Sequence, residues 1–232
     1  DVTIQAQILN LLKEIKESPE ALNRIYQQEF HKIERLAASL QQMDISHITL
    51  VARGTSDNAA LYGKYLFESL LGIPAHLAAP SIITIYRSAM RSQNSLVIGI
   101  SQSGAGLDVN EYMAHSKANG AFTLAITNTR GSEITKVADD VIYLHAGNEE
   151  SVAATKTYVT ECMALLMLAA MWSKERVTLD LLPKIPEATE QVISCEKDIQ
   201  DHVQRYRYAT QMVTLGRDRK STRLNSSHIT IS

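Results

Sequence analysis

The residues of this chain best suited to binding chemistry are the serines of residues 101–104, which read Ser-Gln-Ser-Gly. They follow residues 95–100, a short apolar run of the kind found in strands that are buried on both faces. A helix is predicted after Gly106. A buried strand that breaks into serine and glycine before a helix directs backbone N–H groups and hydroxyls to one point, where the helix N-terminus adds about half a positive charge. We therefore predict that residues 101–104, called the serine loop below, bind phosphate.

The strength of a phosphate-binding loop can be bounded from its hydrogen bonds. Three charge-assisted bonds would contribute about 4.5–9 kcal/mol before the costs of association. This corresponds to dissociation constants between about millimolar and micromolar, a range that suits a metabolite. A Ser-x-Ser-Gly sequence after a strand is also a common way for a chain to turn. The serine loop by itself therefore leaves a purely structural role open.

Two further loops resemble the serine loop in composition and position. Residues 53–58, the first loop, follow a predicted strand at 48–52, and residues 149–156, the third loop, follow a predicted strand at 141–144. Both are rich in small hydroxyl residues and lead into helices. The carboxyl ends of parallel strands meet at one edge of a sheet, and α/β proteins bind their ligands there. We therefore predict that the three loops form one binding rim.

The elements that must position these loops alternate between strand and helix from about residue 46 onwards. The predicted strands are 48–52, 75–79, 95–100, 122–127 and 141–144. The alternation indicates an α/β fold with a parallel sheet covered by helices on both faces. Long helices are predicted from Ala59 to about Leu71 and from Ser151 to about Trp172, with Tyr62, Tyr65 and Phe67 packed on the sheet. Residues 5–42 carry two amphipathic helices, the second with Ser18 as N-cap and Pro19 at its first position. We expect them to form an extension that packs either on the domain or on a second subunit.

Composition and charge exclude several classes of protein. The chain has 232 residues and a net charge of −2, with acids and bases interspersed, so no basic field is available to hold nucleic acid. The longest apolar run, about 164–172, is half a membrane span, so no membrane partner is expected. The seven histidines and two cysteines lack metal-ligand spacing, and we expect a reducing, cytoplasmic setting. Motifs for dinucleotides and nucleoside triphosphates are missing, and no cofactor is predicted.

Charged residues around the third loop allow more than one role. Glu149 and Glu150 precede a predicted helix, so they are expected to interact with its N-terminus, with contact to a sugar as the alternative. Lys156 lies one turn into that helix. Either a bound anion or a structural ion pair would satisfy its charge.

The three loops also carry a family resemblance. Residues 52–56 (Ala-Arg-Gly-Thr-Ser), 100–104 (Ile-Ser-Gln-Ser-Gly) and 151–158 (Ser-Val-Ala-Ala-Thr-Lys-Thr-Tyr) resemble the signature loops of the sugar isomerase (SIS) domain family, in order and at matching separations. The resemblance extends over roughly residues 11–217. The members of the family that the chain resembles in this way are the isomerase half of glucosamine-6-phosphate synthase and stand-alone amino-sugar-phosphate deaminases and isomerases.

This resemblance implies a three-layer α/β/α sandwich with a five-stranded parallel sheet, preceded by N-terminal helices. It implies that a hexose 6-phosphate is bound, without a cofactor or metal, in a homodimer. The residues it assigns to substrate are Thr55, Ser56, Ser101, Gln102, Ser103, Gly104, Val152, Ala153, Ala154 and Thr155. Two positions depart from the family: Gly106 stands where a hydroxyl residue usually contacts phosphate, and Leu107 where proline is frequent.

The resemblance also predicts how the chain is divided. The expected segments are an N-terminal helical extension (1–45), the SIS domain (46–174), a helical connector (175–211), the first strand of a second SIS half (212–217), and a tail (218–232) that resembles a translated sequencing adapter and is taken as non-native. Members of the family carry a proton-shuttling glutamate and a catalytic lysine in or after the second half, so no catalytic residue is assigned in this chain. The expected function is the first half of a sugar-phosphate aldose–ketose isomerase or an amino-sugar-phosphate deaminase or synthase. The alternative is a non-catalytic module that senses a sugar phosphate.

Overall fold

The structure, a computed structural model, describes residues 2–151 and 153–203, residues 206 and 208, and four two-residue strands beyond them. It divides into two compact units, residues 1–190 and 191–232. Within the described part of the chain, none of the helices is both long and apolar enough to cross a bilayer.

The first unit is built on a five-stranded sheet in which every pairing is parallel. Its strands are β1 (His47–Val51), β2 (Ala75–Leu77), β3 (Ser95–Ile100), β4 (Phe122–Thr127) and β5 (Asp140–Tyr143). The spatial order is β2-β1-β3-β4-β5, so the chain reverses its direction of winding between β1 and β3. The predicted α/β fold with a five-stranded parallel sheet is confirmed.

Helices cover both faces of this sheet, which gives the predicted three layers. The helices of the first unit, with the last continuing into the second, are α1 (Val2–Lys16), α2 (Ser18–Leu40), α3 (Thr55–Leu71), α4 (Ser81–Thr84), α5 (Leu107–Ala118), α6 (Glu133–Val137), α7 (Lys156–Ser173), α8 (Arg176–Leu181) and α9 (Ile185–Ser194). One buried cluster joins α2, α3 and α7 to the sheet, and a second joins α4, α5 and α6 to the opposite face.

The central strand β3 is buried along its whole length, as its apolar sequence predicts. Leu96, Ile98 and Ile100 contribute to the cluster under α2, α3 and α7, where each such side chain gains about 1.5–3 kcal/mol from burial. On the other face, a Cβ at Gly99 would lie 2.0 Å from Sδ of Met113. Glycine at this position therefore lets α5 pack closely on the strand that carries the serine loop.

The helix α2 packs on the domain, one of the two arrangements expected for the N-terminal helices, but its start differs from the prediction. Ile25, Ile33 and Leu40 are fully buried in the main core. Ser18 is not the N-cap of α2: the N-cap is Glu17, and the Ser18 hydroxyl donates to the backbone oxygen of Glu14 at 3.4 Å. The turn between α1 and α2 is so short that the serine already lies in the second helix.

Two long helices begin at different residues from those predicted. Helix α3 starts at Thr55, four residues early, and α7 starts at Lys156, five residues late. Phe67 packs in the core as expected, whereas the side chains of Tyr62 and Tyr65 are 36% and 39% exposed and do not pack fully on the sheet. The pattern of apolar residues along the chain does not reveal at which residue a cap or a neighbouring carboxylate lets a helix begin.

The second unit contains α10 (Glu196–Val203) and two short antiparallel pairings. Gln211–Met212 pairs with Ile229–Thr230, and Gly216–Arg217 pairs with Thr222–Arg223. Residues 213–215, in the middle of the predicted strand at 212–217, lie outside the described residues, as does most of the predicted tail. The division at these positions therefore stays a prediction.

Candidate functional site

The serine loop continues directly from β3 and bonds to itself. The backbone N–H of Gly104 donates to Oγ of Ser101 at 3.1 Å, and the N–H of Ala105 donates to Oγ of Ser103 at 3.3 Å. Ser101 and Gln102 are half-buried and Ser103 is exposed. The loop thus presents serine side chains that its own backbone holds in place.

Gly104 is constrained by both its backbone and its neighbours. Its φ is +65°, and a Cβ would lie 2.1 Å from Oγ of Ser132. Its carbonyl accepts from the N–H of Ile134 at 3.0 Å and from Nδ2 of Asn110 at 3.2 Å. The serine loop is therefore anchored to α5 and to the start of α6.

The helix that receives the serine loop has an N-cap without a side chain. Gly106 occupies that position in an extended conformation, and Oδ1 of Asp108 accepts from the N–H of Val109 at 3.0 Å. Nε of Arg53 lies 3.2 Å from Oδ2 of Asp108. This ion pair ties the first loop to the start of α5.

The first loop places Thr55 and Ser56 in the opening turn of α3, after Gly54 at φ +64°. Ser56 is 8% exposed, and its hydroxyl donates to Oε1 of Glu161 at 2.8 Å. Since Glu161 lies on α7, this bond joins the helix after the first loop to the helix after the third.

The sequence interpretation missed Glu161, although it is the most unusual ionisable group at the site. The residue is 1% exposed, and burial raises the pKa of its carboxyl to about 7. The hydrogen bond from Ser56 opposes that rise, and the charge of Glu149 adds to it. The available signal was an acid placed among the apolar residues of a buried helix, where a carboxylate needs a partner.

The third loop is organised by Glu149. Its Oε1 accepts from the N–H of Thr155 at 2.6 Å and from the Thr155 hydroxyl at 2.8 Å, and its Oε2 accepts from the hydroxyl of Thr157. The predicted interaction of Glu149 with the helix N-terminus is therefore confirmed, and it explains why α7 begins only at Lys156. Ala153 is exposed and Ala154 is half-buried, whereas Val152 lies outside the described residues.

Helices α1 and α2 hold the third loop from the other side. The carboxylate of Glu14, which is 3% exposed, accepts from the backbone N–H of Glu150 and, at 3.1 Å, from that of Ser151. The ammonium of Lys156 is buried and pairs with Glu17. Of the two roles predicted for Lys156, the structure shows the ion pair.

The end of β4 connects the serine loop to the segment after β5. The carbonyl of Gln102 accepts from the N–H of Asn128 at 3.0 Å and from the hydroxyl of Thr127 at 3.1 Å. The side chain of Asn128 then accepts from the N–H of Ala146 at 2.9 Å and donates to the carbonyl of Gly147 at 2.7 Å. These bonds join the serine loop to the segment that precedes the third loop, and the Arg53–Asp108 ion pair joins the first loop to the helix that follows the serine loop. No group of three or more metal-ligating side chains occurs among the described residues.

Comparison with known proteins gives matches over most of the chain. Residues 43–171, which include all three loops, match the SIS domain family. The chain is 34% identical over 208 residues to a glutamine–fructose-6-phosphate aminotransferase (isomerizing) of Aquifex aeolicus, an alignment that covers 89% of this chain and 35% of that protein. The chain thus spans about a third of the length of the curated relatives that it matches.

Two solved structures extend the comparison to three dimensions. One is described as a phosphosugar isomerase of Silicibacter pomeroyi, with 36% identity and a TM-score of 0.76, covering 78% of this chain and 56% of that one. The other is the C-terminal domain of glucosamine-fructose-6-phosphate aminotransferase of Francisella tularensis, with 26% identity and a TM-score of 0.71, covering 87% of this chain and 60% of that one.

Proposed function

The chain belongs to the SIS domain family, and from this premise we propose that it binds a hexose 6-phosphate, with the phosphate at the serine loop. Ser101, Gln102 and Ser103 donate to the phosphate oxygens in this proposal. The sugar lies against Thr55 and Ser56 on one side and against residues 152–155 on the other. Relatives named for fructose 6-phosphate and phosphosugars support this class of ligand.

A single observation carries the proposal. The serine loop leaves a fully buried strand, is anchored through both hydrogen bonds to Gly104, and enters α5 at a glycine N-cap. The serine hydroxyls thus lie beside the N-terminus of α5, whose positive dipole end favours an anion, and this supports a phosphate at the serine loop. The other two loops lie at the same edge of the sheet. The first loop follows β1, one strand away from β3, and the third loop follows β5, two strands away from β3.

For the protein as a whole, we propose a sugar-phosphate aldose–ketose isomerase, or an enzyme like the amino-sugar-phosphate deaminases and synthases, in which this chain is the first of two SIS halves. The homologues are isomerases and aminotransferases, and the chain spans about a third of the curated ones. The reaction class is proton abstraction next to a carbonyl or imine by a carboxylate base. We place that base in the second half, and the enzyme in the cytoplasm.

Calorimetric titration tests the binding proposal. Wild-type protein and the double variant Ser101→Ala, Ser103→Ala are titrated with glucosamine 6-phosphate and with fructose 6-phosphate. Loss of two hydrogen bonds to a charged group weakens binding by about 2–4 kcal/mol, or about 30- to 800-fold. The matched control is Ser39→Ala with Ser69→Ala, two exposed serines away from the rim.

The control variant is expected to bind both sugar phosphates as wild type does. Equal affinity in the Ser101/Ser103 variant would mean that the phosphate binds elsewhere. Thermal unfolding of each variant is recorded in parallel, because Ser101→Ala also removes one of the two acceptors of the Gly104 N–H, leaving the backbone oxygen of residue 101.

A further inference from the structure

Below the rim, Ser56 and Glu161 form a buried pair that the binding proposal does not by itself require. The Ser56 hydroxyl donates to Oε1 of Glu161 at 2.8 Å, and the two residues are 8% and 1% exposed. They are 105 positions apart in the chain. One member, Ser56, is a residue that we place against the sugar, and the other is an acid with no assigned role.

The direction of this hydrogen bond depends on the protonation of Glu161. An ionised carboxylate only accepts, so it takes the single hydroxyl proton of Ser56, whose oxygen can then only accept a bond from a ligand. A protonated carboxyl has an O–H of its own and can donate it to Ser56. In that state the serine proton is released toward the rim, and Ser56 becomes a donor to the ligand.

We propose that Glu161 is a positioning residue that sets the direction of the Ser56 hydroxyl, so that its protonated form selects a carbonyl oxygen of the sugar phosphate. A carbonyl oxygen can only accept, and it therefore needs the donor state of Ser56. A sugar hydroxyl both donates and accepts, and it is served by either state. The inference rests on the proposed function, because it takes Ser56 to lie against the sugar.

The surroundings of Glu161 allow both protonation states near neutral pH. Burial raises the pKa of its carboxyl to about 7, Ser56 on α3 opposes the rise, and Glu149 before α7 adds to it through its charge. On α7 itself, Tyr158 and Cys162 are the ionisable groups whose pKa values burial and the charge of Glu161 both raise. Burial raises the pKa of Tyr158 to about 12 and that of Cys162 to about 11, so both are neutral where Glu161 titrates.

The expected consequence is a pH-dependent preference between two ligands that differ at the carbonyl. One is 5-deoxyfructose 6-phosphate, an acyclic ketose phosphate that keeps its carbonyl because it cannot close a ring, and the other is 5-deoxysorbitol 6-phosphate, which carries a hydroxyl there and is otherwise the same. The protonated fraction of a group with a pKa of about 7 falls about tenfold between pH 6 and pH 8. The ratio of the two dissociation constants therefore changes by up to about tenfold against the keto ligand.

The experiment measures this ratio by calorimetry at pH 6, 7 and 8 on the full chain, with inorganic phosphate as a third probe. Because both sugar ligands carry the same type of phosphate monoester, its own ionisation cancels in the ratio. Wild type and the exposed control Glu34→Gln are expected to show the shift. Glu161→Gln, which cannot change its protonation, is expected to show a ratio that is independent of pH.

A second variant keeps the test decisive should Glu161→Gln fail to fold. Ser56→Ala removes the hydroxyl whose direction is at issue, and it is likewise expected to abolish the pH dependence of the ratio. A constant ratio in wild type, or an unchanged shift in both variants, overturns the role of Glu161 while the sugar phosphates still bind. If neither sugar phosphate nor inorganic phosphate binds to wild type, the proposed function fails and this inference fails with it.

Discussion

Gly104 is the residue of the serine loop with the least freedom to change. Its φ of +65° is a conformation that costs other residues about 1–2 kcal/mol, and the oxygen of Ser132 occupies the space that a side chain would need. Gly131 has almost the same φ, +69°, but nothing lies within 4 Å of the position of its Cβ. Substitution of Gly131 therefore tests backbone strain alone, whereas substitution of Gly104 tests backbone strain together with a steric clash.

For Gly104→Ala we expect a loss of about 2–4 kcal/mol in the free energy of unfolding, since strain and the clash with Ser132 add, together with loss of sugar-phosphate binding. For Gly131→Ala the expected loss is about 1–2 kcal/mol, from backbone strain alone, with binding retained. Urea unfolding and calorimetry measure both quantities. Equal losses in the two variants would show that Ser132 moves aside at no cost.

Glu14 is the residue through which α1 acts on the third loop. Burial raises the pKa of its carboxyl, but the hydrogen bonds from Ser151 and from the backbone of Glu150 outweigh burial, so the pKa is lowered overall. A carboxyl with a lowered pKa in the folded state stabilises the protein above its unfolded pKa. This stabilisation is lost as the pH falls through the folded pKa.

The expected result for Glu14→Ala is a loss of about 2–3 kcal/mol in unfolding free energy at pH 7, because two backbone N–H groups lose a charged acceptor. Acidification below the ordinary pKa of glutamate narrows the gap between variant and wild type. Urea unfolding at pH 7, 5 and 3.5 measures the gap. The control is Glu20→Ala, whose carboxylate is 75% exposed beside Arg24 and contributes within about 0.5 kcal/mol. A gap that does not change with pH would contradict this role of the Glu14 charge.

At the scale of the elements, the start of α5 is where the family resemblance predicts a hydroxyl contact to phosphate and this chain has glycine. Gly106 is the N-cap of α5, its φ of −62° suits any residue, and a Cβ there would lie 3.7 Å from its nearest neighbours. A serine side chain therefore fits at this position without rearrangement. Its hydroxyl would lie at the end of the helix where we place the phosphate.

We expect Gly106→Ser to tighten sugar-phosphate binding by about tenfold or more, through one added hydrogen bond to a charged group. The effect on stability is small, since serine and glycine differ by only a few tenths of a kcal/mol at an N-cap. Gly106→Ala is the matched control, with the same Cβ and no hydroxyl, and its affinity is expected not to rise. A gain in affinity in both variants would mean that the loss of glycine, and not the added hydroxyl, causes the effect.

At the scale of the whole domain, α1 and α2 contribute in different ways. The apolar side chains of α2 at Ile25, Ile33 and Leu40 are completely buried, whereas Ile8 and Leu9 of α1 are more than half exposed. The residues of α2 lie before residue 43, where the match to the SIS domain family begins, yet they share one core with β3 and α7. Helix α1 acts mainly through Glu14.

Two truncations test this division. Removal of residues 1–16 is expected to leave a folded domain with weaker sugar-phosphate binding, because the bonds of Glu14 to the third loop are lost while the buried side chains of α2 remain. Removal of residues 1–42 is expected to abolish cooperative unfolding, because the lost burial of α2 is comparable to the net stability of a domain, about 5–15 kcal/mol. Circular dichroism and thermal unfolding distinguish the outcomes. A cooperative transition in the shorter chain would show that α2 is a dispensable extension after all.

The sequence by itself determined the layers of the fold and the edge at which the loops lie. The strands β3 and β4 were predicted to the residue, because continuous apolar runs bounded by turn residues are typical of strands buried on both faces. The position of the three loops followed from the rule that parallel strands all end at one edge. These properties are local, so a pattern along the chain is sufficient to reveal them.

Only the tertiary structure decided which side chains meet. Ser56 and Glu161 are brought together by the packing of α3 on α7, and Glu14 reaches Ser151 across more than half of the chain. The start of α7 was misplaced because the side chain of Glu149, and not the local sequence, determines it. Such contacts depend on the folding of distant segments against each other, and hydrophobic periodicity carries no information about them.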